Sequence, residues 1–245
     1  MKRVISACAL AALFAAPLFA PARAKDDPLA AVLKREGYAV SVGLKVRKKK
    51  RGPLPRLFDI LGAEPPNAYA TGFVVGDGLV MTAYHVVSGD LSADKRRQLG
   101  FSANEPLAVS AFVNDCEATV LGVDADADLA LLRVCGGTQK RATAPAFQAG
   151  AGPVQDERLL VVARPNGFKS VKRGVFSGTY TYHGRQYWAA TIEGRDGFSG
   201  SPVYNDRGEI VGVFSGYDWT RKVSLISPGA KAQKLLEDYA QAHKP

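Results

Sequence analysis

"GFSGSPVYNDRGEIVGV", residues 197–213, sets two serines among small residues, beside a proline and just ahead of an alternating apolar run. Serine in a turn is ordinary. A nucleophilic serine needs partners: a base to take its proton, and a third group to hold that base in the right tautomer. Gly197 and Gly200 flank Ser199 in a tight turn, where backbone N–H groups can converge on a developing oxyanion.

The choice of base is narrow, because the chain has three histidines, His85, His183 and His243. His243 stands in the terminal residues, and His183 sits in "TYHGRQ", where His-Gly reads as a hairpin turn. His85 ends the apolar run "MTAYHVV" and is expected to project from a rigid strand end. The orienting acid should be half-buried at a strand start. "DADADLALLRV", residues 124–134, offers Asp128 directly before a continuous apolar strand, with Asp124 and Asp126 reading as solvated turn residues.

The first 24 residues carry Lys2 and Arg3, an apolar run Val4–Ala16, and a break from Pro17 to Pro21 before Ala22-Arg23-Ala24. This is the make-up of a secretory leader cut after Ala24, which implies a periplasmic or secreted protein. The run is shorter than the roughly 20 residues a membrane-spanning helix needs. Reading Ile5–Cys8 as a lipid-attachment box leaves almost no apolar segment ahead of the cut. Loss of Lys2, Arg3 and Arg23 lowers the net charge from +9 to +6 over the 221 remaining residues. No later segment reads as transmembrane.

Cys8 leaves with the leader, so Cys116 and Cys135 form an even pair, which in an exported chain favours a disulfide over two buried free thiols. "CEATVLGV" and "LALLRVC" around the aspartate-rich turn predict a hairpin with the two cysteines directly opposed.

Elsewhere the pattern predicts a short helix from Asp27-Pro28 to about Arg35, and a strand over 38–46. A basic, proline-bearing loop follows over 47–68, then a hairpin about Gly76-Asp77-Gly78 and strands at 107–113, 116–123 and 129–135. Residues 138–157 read as a linker, followed by several short strands and a terminal helix. That helix has Ser227 as its expected N-cap and Ala232, Leu235, Leu236 and Tyr239 at helical spacing. Many short strands with one terminal helix argue for antiparallel barrels and against a βαβ sheet. The expected layout is a first barrel over about 37–137, a second over about 145–226 and a helix over about 228–242.

Residues 45–56 hold seven basic side chains, from Lys45 to Arg56, and no acid. Such a stretch is either a solvated loop or a contact for an anionic surface. No interleaved aromatics mark it for specific nucleic-acid binding. No cysteine–histidine cluster suggests a metal and no phosphate loop follows a strand, so no cofactor is expected.

"TAYHVV", "DADADLALLRV" and "DGFSGSPVYNDRGEIVGV" together resemble the three signature segments of the trypsin/chymotrypsin-fold serine proteases. The similarity is greatest to the bacterial exported branch, including the protease domain of the HtrA/Deg proteins and the glutamyl endopeptidase type. The order His, Asp, Ser matches that family and not the subtilisins or α/β-hydrolases. The resemblance covers roughly residues 69–217 and implies an all-β fold of two antiparallel barrels acting on polypeptide. It implies His85 as general base and then acid, Asp128 as its orienter, and Ser199 as nucleophile. The Gly197 and Ser199 N–H groups would form the oxyanion hole, and Ser201 would be a bystander before Pro202.

Phe198 stands where digestive relatives carry an aspartate that pairs with a newly cut N-terminus, so activation of that kind is not expected. Tyr84 precedes the histidine where those relatives carry a small residue, and no PDZ module is expected after the helix. By the same resemblance Phe214, Ser215, Gly216 and Tyr217 form a wall of the substrate pocket. Glu193, six residues before Ser199, counts onto the pocket base, where an acid in such relatives would instead favour Lys or Arg before the cut bond. The two aromatics predict a shallow pocket preferring Ala or Val. An inactive protease fold that binds a partner, and an esterase using the same residues, are the rival functions.

Overall fold

In a computed structural model, residues 30, 33, 37–49, 65–135, 146–150 and 152–244 are described. The expected leader, most of the 28–35 helix, residues 50–64 of the basic loop and residues 138–145 and 151 of the linker lie outside the described residues.

Alternation builds the first barrel. In β1 (Ala39–Lys48), Val40, Val42, Leu44 and Val46 point to one interior, at the period of two that a strand imposes. β2 (Ala68–Gly76), β3 (Leu79–Thr82), β4 (Leu107–Val113), β5 (Cys116–Asp124) and β6 (Leu129–Arg133) complete a closed barrel in the order β1-β2-β3-β6-β5-β4. The second barrel uses β7 (Arg158–Ala163), β8 (Ser170–Tyr182), β9 (Arg185–Ala190), β10 (Pro202–Asn205), β11 (Ile210–Asp218) and β12 (Val223–Pro228), closing as β10-β11-β12-β9-β8-β7. Read around the ring, both barrels have the same connectivity, a repeat of topology with no repeat of sequence. Among the described residues they are accompanied by the helices α1 (Tyr84–Ser88), α2 (Ala93–Gln98) and α3 (Gly229–Ala242). None of them is long and apolar enough to cross a membrane.

Each barrel has its own apolar interior, and a third core joins them. Phe73, Met81, Leu129 and Leu131 of the first barrel meet Leu160, Val162, Tyr204 and Val213 of the second, and Ala232 of α3 seals the seam. β6 explains how one strand serves two cores. Leu132 points into the first barrel while Leu129 and Leu131 point into the seam, so the run "LALL" is apolar throughout. Truncating Phe73, fully buried there, is the kind of change that costs about 3–5 kcal/mol.

Several local readings are corrected. β1 continues to Lys48, so Lys45, Arg47 and Lys48 of the basic stretch lie in a strand; Lys45 sits over the Phe112 ring and Lys48 pairs with Glu105 at 2.9 Å. α2 is an addition to the sequence reading, with Ser92 capping its N-terminus and Gly100, at φ 78°, following its end. Ser227 is not a helix cap: it belongs to β12, and Pro228 occupies the cap position. The β5–β6 register sets Thr119 against Arg133, one place away from the register that would oppose the cysteines, and shifts again at Leu121. Next to the turn the offset is two places, with Asp124 facing Leu129, and the extra residue at Leu121 takes one of them back. The Cys116–Cys135 disulfide forms across the hairpin nonetheless, with Cα atoms 6.0 Å apart.

Candidate active site

His85 lies three residues beyond the end of β3, the strand where it was expected, in the first turn of α1. The N-terminus of that short helix has no side-chain cap of its own, because Ala83 holds the position. Asp128 supplies the missing acceptors from the turn before β6. Its carbonyl accepts the Tyr84 N–H at 3.1 Å and its Oδ1 accepts the His85 N–H at 2.9 Å. Its Oδ2 accepts from His85 Nδ1 at 2.8 Å. That bond assigns the ring proton to Nδ1 and leaves Nε2 as an acceptor, 2.9 Å from Ser199 Oγ.

Asp128 is 3% exposed and adopts φ 55°, a left-handed conformation that aspartate tolerates. Asp124 closes the same turn by accepting the Ala127 N–H at 2.9 Å, while Asp126 faces solvent. Burial pushes the Asp128 carboxyl up. Hydrogen bonds from the His85 ring and backbone, the charge of that ring and the Ser215 hydroxyl outweigh burial and hold it below the usual carboxylate range. A second tie supports the same turn: Ser227 Oγ donates to the Ala127 carbonyl at 2.5 Å and lies 2.7 Å from Ser215 Oγ.

Ser199 stands in the loop between β9 and β10. The Phe198 N–H bonds to the Arg195 carbonyl at 3.1 Å, closing a four-residue turn, and Gly197 in its third position has φ 84°. Together these define a type II turn, whose third position needs a positive φ. A Cβ at Gly197 would also stand 2.6 Å from Pro165 Cβ, so glycine is required twice over. Thr71 grips this loop: its Oγ1 donates to the Gly197 carbonyl at 2.7 Å and its N–H to the Ser199 carbonyl at 2.9 Å. With both carbonyls taken, the Gly197 and Ser199 N–H groups have no acceptor among the described residues, and both residues line the cleft. Such a pair suits a developing negative oxygen.

The model of the trypsin-like peptidase domain matches residues 70–213, more than half of the chain. The chain belongs to the trypsin-like peptidase family. It is 28% identical over 185 residues to Protease Do-like 2, chloroplastic, of Arabidopsis thaliana, a match covering 71% of this chain and 28% of that relative. The chain therefore spans under a third of that protein's length. An inactive serine-to-alanine variant of Rv3671c from M. tuberculosis H37Rv superposes with a TM-score of 0.55 at 20% identity, covering 90% of this chain and 93% of that one. At that identity the likeness speaks for the fold.

In this trypsin-like peptidase the cleft has a volume of about 620 Å³ and runs between the barrels. Phe214, Ser215, Gly216 and Tyr217 line it. The facing wall is Gly194, not Glu193. A Cβ on Gly194 would stand 2.5 Å from Tyr217 Cβ and 3.0 Å from Phe214 Cζ, so the two walls nearly touch. Glu193 is corrected: its side chain is 54% exposed and bonds Lys172 Nζ at 2.9 Å, with Arg195 at 3.7 Å. Extended backbone sends alternate residues to opposite sides, and with Ile192 and Gly194 buried, Glu193 must face out. Lys172 holds the Glu193 carboxyl below its ordinary range. Phe198 is 1% exposed and packs edge-on against Phe214, with ring centroids 5.9 Å apart.

Thr71, Ser227 and the β8–β9 hairpin were not read as site elements. Thr71 sits in an unremarkable strand, and only its contact with a loop 126 residues later gives it a part. His183 does make the turn read for it, with φ 48° before Gly184 at φ 78°, but the hairpin also carries residues that line the cleft.

Proposed function

We propose that the chain is an exported serine endopeptidase that hydrolyses peptide bonds through an acyl-enzyme on Ser199. The observation that carries this reading is the unbroken series Ser199 Oγ, His85 Nε2, His85 Nδ1, Asp128 Oδ2, with 2.9 Å and 2.8 Å links across two barrels. The matched relative, a protease by name, supports it.

As Ser199 Oγ attacks the carbonyl carbon of the substrate, its proton passes to His85 Nε2. Asp128 remains ionised and stabilises the imidazolium. The oxyanion takes hydrogen bonds from the Gly197 and Ser199 N–H groups. His85 then gives the proton to the leaving amine, and a water attacks the acyl-enzyme with His85 again as base. The substrate is held as an added strand. β10 pairs with β11 only as far as Val213, so β11 beyond Phe214 offers a free edge beside Ser199 for an extended chain. The near contact of Gly194 with Tyr217 supports a side chain no larger than Ala or Val before the cut bond. Export is supported by the leader-like residues 1–24 and by the disulfide.

A fluorophosphonate probe tests the chemistry. It is expected to label Ser199, and Ser199→Ala is expected to lose both labelling and peptide cleavage while Ser201→Ala keeps them. Turnover that survives Ser199→Ala overturns the reading. Sequencing the N-terminus of the exported protein, expected to begin at Lys25, tests the cut after Ala24.

A further inference from the structure

The hairpin between β8 and β9 carries a cation that the chemistry above does not use. Its two-residue turn brings Tyr182, His183, Arg185 and Tyr187 into the lining of the cleft that holds His85 and Ser199. Arg185 is half-buried and shares one face of β9 with Tyr187, itself 6% exposed. The other lysine and arginine side chains lining the cleft have acidic partners. Lys95 bonds Asp196 at 3.0 Å, and Arg195 stands 3.7 Å from Glu193. Among the described residues, no carboxylate comes within ion-pair distance of Arg185. Asp128 and Asp126 act on it through space, and Asp128 is already committed to His85.

Position decides what this guanidinium can meet. It lines the same cleft as His85, Asp128 and Ser199 and belongs to the second barrel, where β9 pairs with β12 and β12 with β11. The free edge of β11 is the edge along which the acyl half of a substrate would lie. Tyr69 and Lys95, which also line the cleft, come from the first barrel.

We propose that Arg185 is a specificity-determining residue whose guanidinium receives an acidic side chain from the four substrate residues before the cleaved bond. The inference rests on the endopeptidase reading. A partly desolvated guanidinium without its own carboxylate favours an incoming one, and its planar fork accepts both oxygens. A hydrogen bond to a charged partner is worth about ten- to a hundredfold in binding.

The test uses peptides with Ala before the cleaved bond, each carrying Glu, Gln or Lys at one of the other three positions on that side. The wild-type protein is expected to cleave the Glu peptide at least about tenfold faster, as kcat/KM, than its Gln counterpart at one position. Arg185→Gln is expected to level that ratio, Arg185→Lys to keep part of it, and Arg185→Glu to invert it towards Lys. Equal rates on Glu and Gln peptides in wild type, or a preference that survives Arg185→Gln, overturns the proposal. If no peptide is cleaved, the endopeptidase reading fails on its own. Fluorescence anisotropy of the same peptides on Ser199→Ala protein then decides about Arg185. Tighter Glu binding that depends on Arg185 supports it, and equal binding overturns it.

Discussion

Thr71 Oγ1 donates a 2.7 Å hydrogen bond to the carbonyl of Gly197, 126 residues further along the chain. The threonine is fully buried in β2 of the first barrel, while the glycine shapes the turn that presents Ser199 in the second. The same hydroxyl accepts the Arg164 N–H at 2.9 Å, and the Thr71 carbonyl accepts from Thr82 Oγ1 at 2.8 Å. One side chain thus aligns two barrels that carry different parts of the site.

Thr71→Val keeps the shape and removes the hydroxyl, leaving the Gly197 carbonyl and the Arg164 N–H unpaired. The expected loss is about 1–3 kcal/mol of stability, together with a fall in kcat larger than any rise in KM. Thr71→Ser should recover most of both. Thermal melts and steady-state kinetics check this; a Val variant with unchanged kcat removes Thr71 from the site.

Asp128 ties stability to pH. Its carboxyl is depressed in the folded chain, so it contributes stability that is present above the unfolded value of about 3.9 and is lost as pH falls through the lower folded value. Asp128→Asn should be less stable at neutral pH and flatter below about pH 4. Its turnover should drop on the order of 10⁴-fold, because the amide no longer holds His85 in the needed tautomer. Urea midpoints followed from about pH 7 to pH 3, beside rates at neutral pH, separate the two effects.

The Cys116–Cys135 bridge closes the open end of the β5–β6 hairpin, away from the turn that carries Asp128. Replacing both cysteines by serine should lower stability by roughly 3 kcal/mol, as chain entropy predicts for a loop of this size. Rates measured well below the melting temperature should be unchanged. A lost rate at low temperature would show that the bridge shapes the site and does more than restrain the unfolded chain.

Phe198 fills the space beside Phe214 with a ring and offers no carboxylate to a new N-terminus. The intact chain, once the leader is gone, should therefore react with a serine-directed probe without further cutting. Mass spectrometry of the labelled protein checks this, and labelling that arises only after an internal cleavage contradicts it. Phe198→Ala should cost about 3–5 kcal/mol through the cavity it leaves.

The parts of the fold legible in the sequence were those with local signals. Alternation gave most strands, helical spacing gave α3, and Asn/Asp/Gly punctuation gave the hairpins. β12 was hidden because "VSLISP" runs directly into a helix-start pattern, and Ser227 looked like a cap while its hydroxyl serves the Asp128 turn. The residues that the structure brings within hydrogen-bond distance, His85, Asp128 and Ser199, each stood beside a motif. Thr71 and Arg185 did not, since their parts depend on neighbours far away in sequence. Glu193 was misplaced because counting back from Ser199 ignores which way a loop residue faces, and the cysteine register because the hairpin turns one residue later than expected, which leaves no trace in composition.

The open border of β11 has a consequence for what such a cleft can act upon. A strand border is completed only by a chain that is itself extended and has its own backbone groups unpaired. A compact protein keeps those groups engaged and can lend only its loops, while a damaged or newly made chain offers them along its whole length. Under the proposed activity, the state of folding of a target is read before its side chains are, and Gly194, Tyr217 and Arg185 choose only among segments that have already lost, or never gained, their native shape.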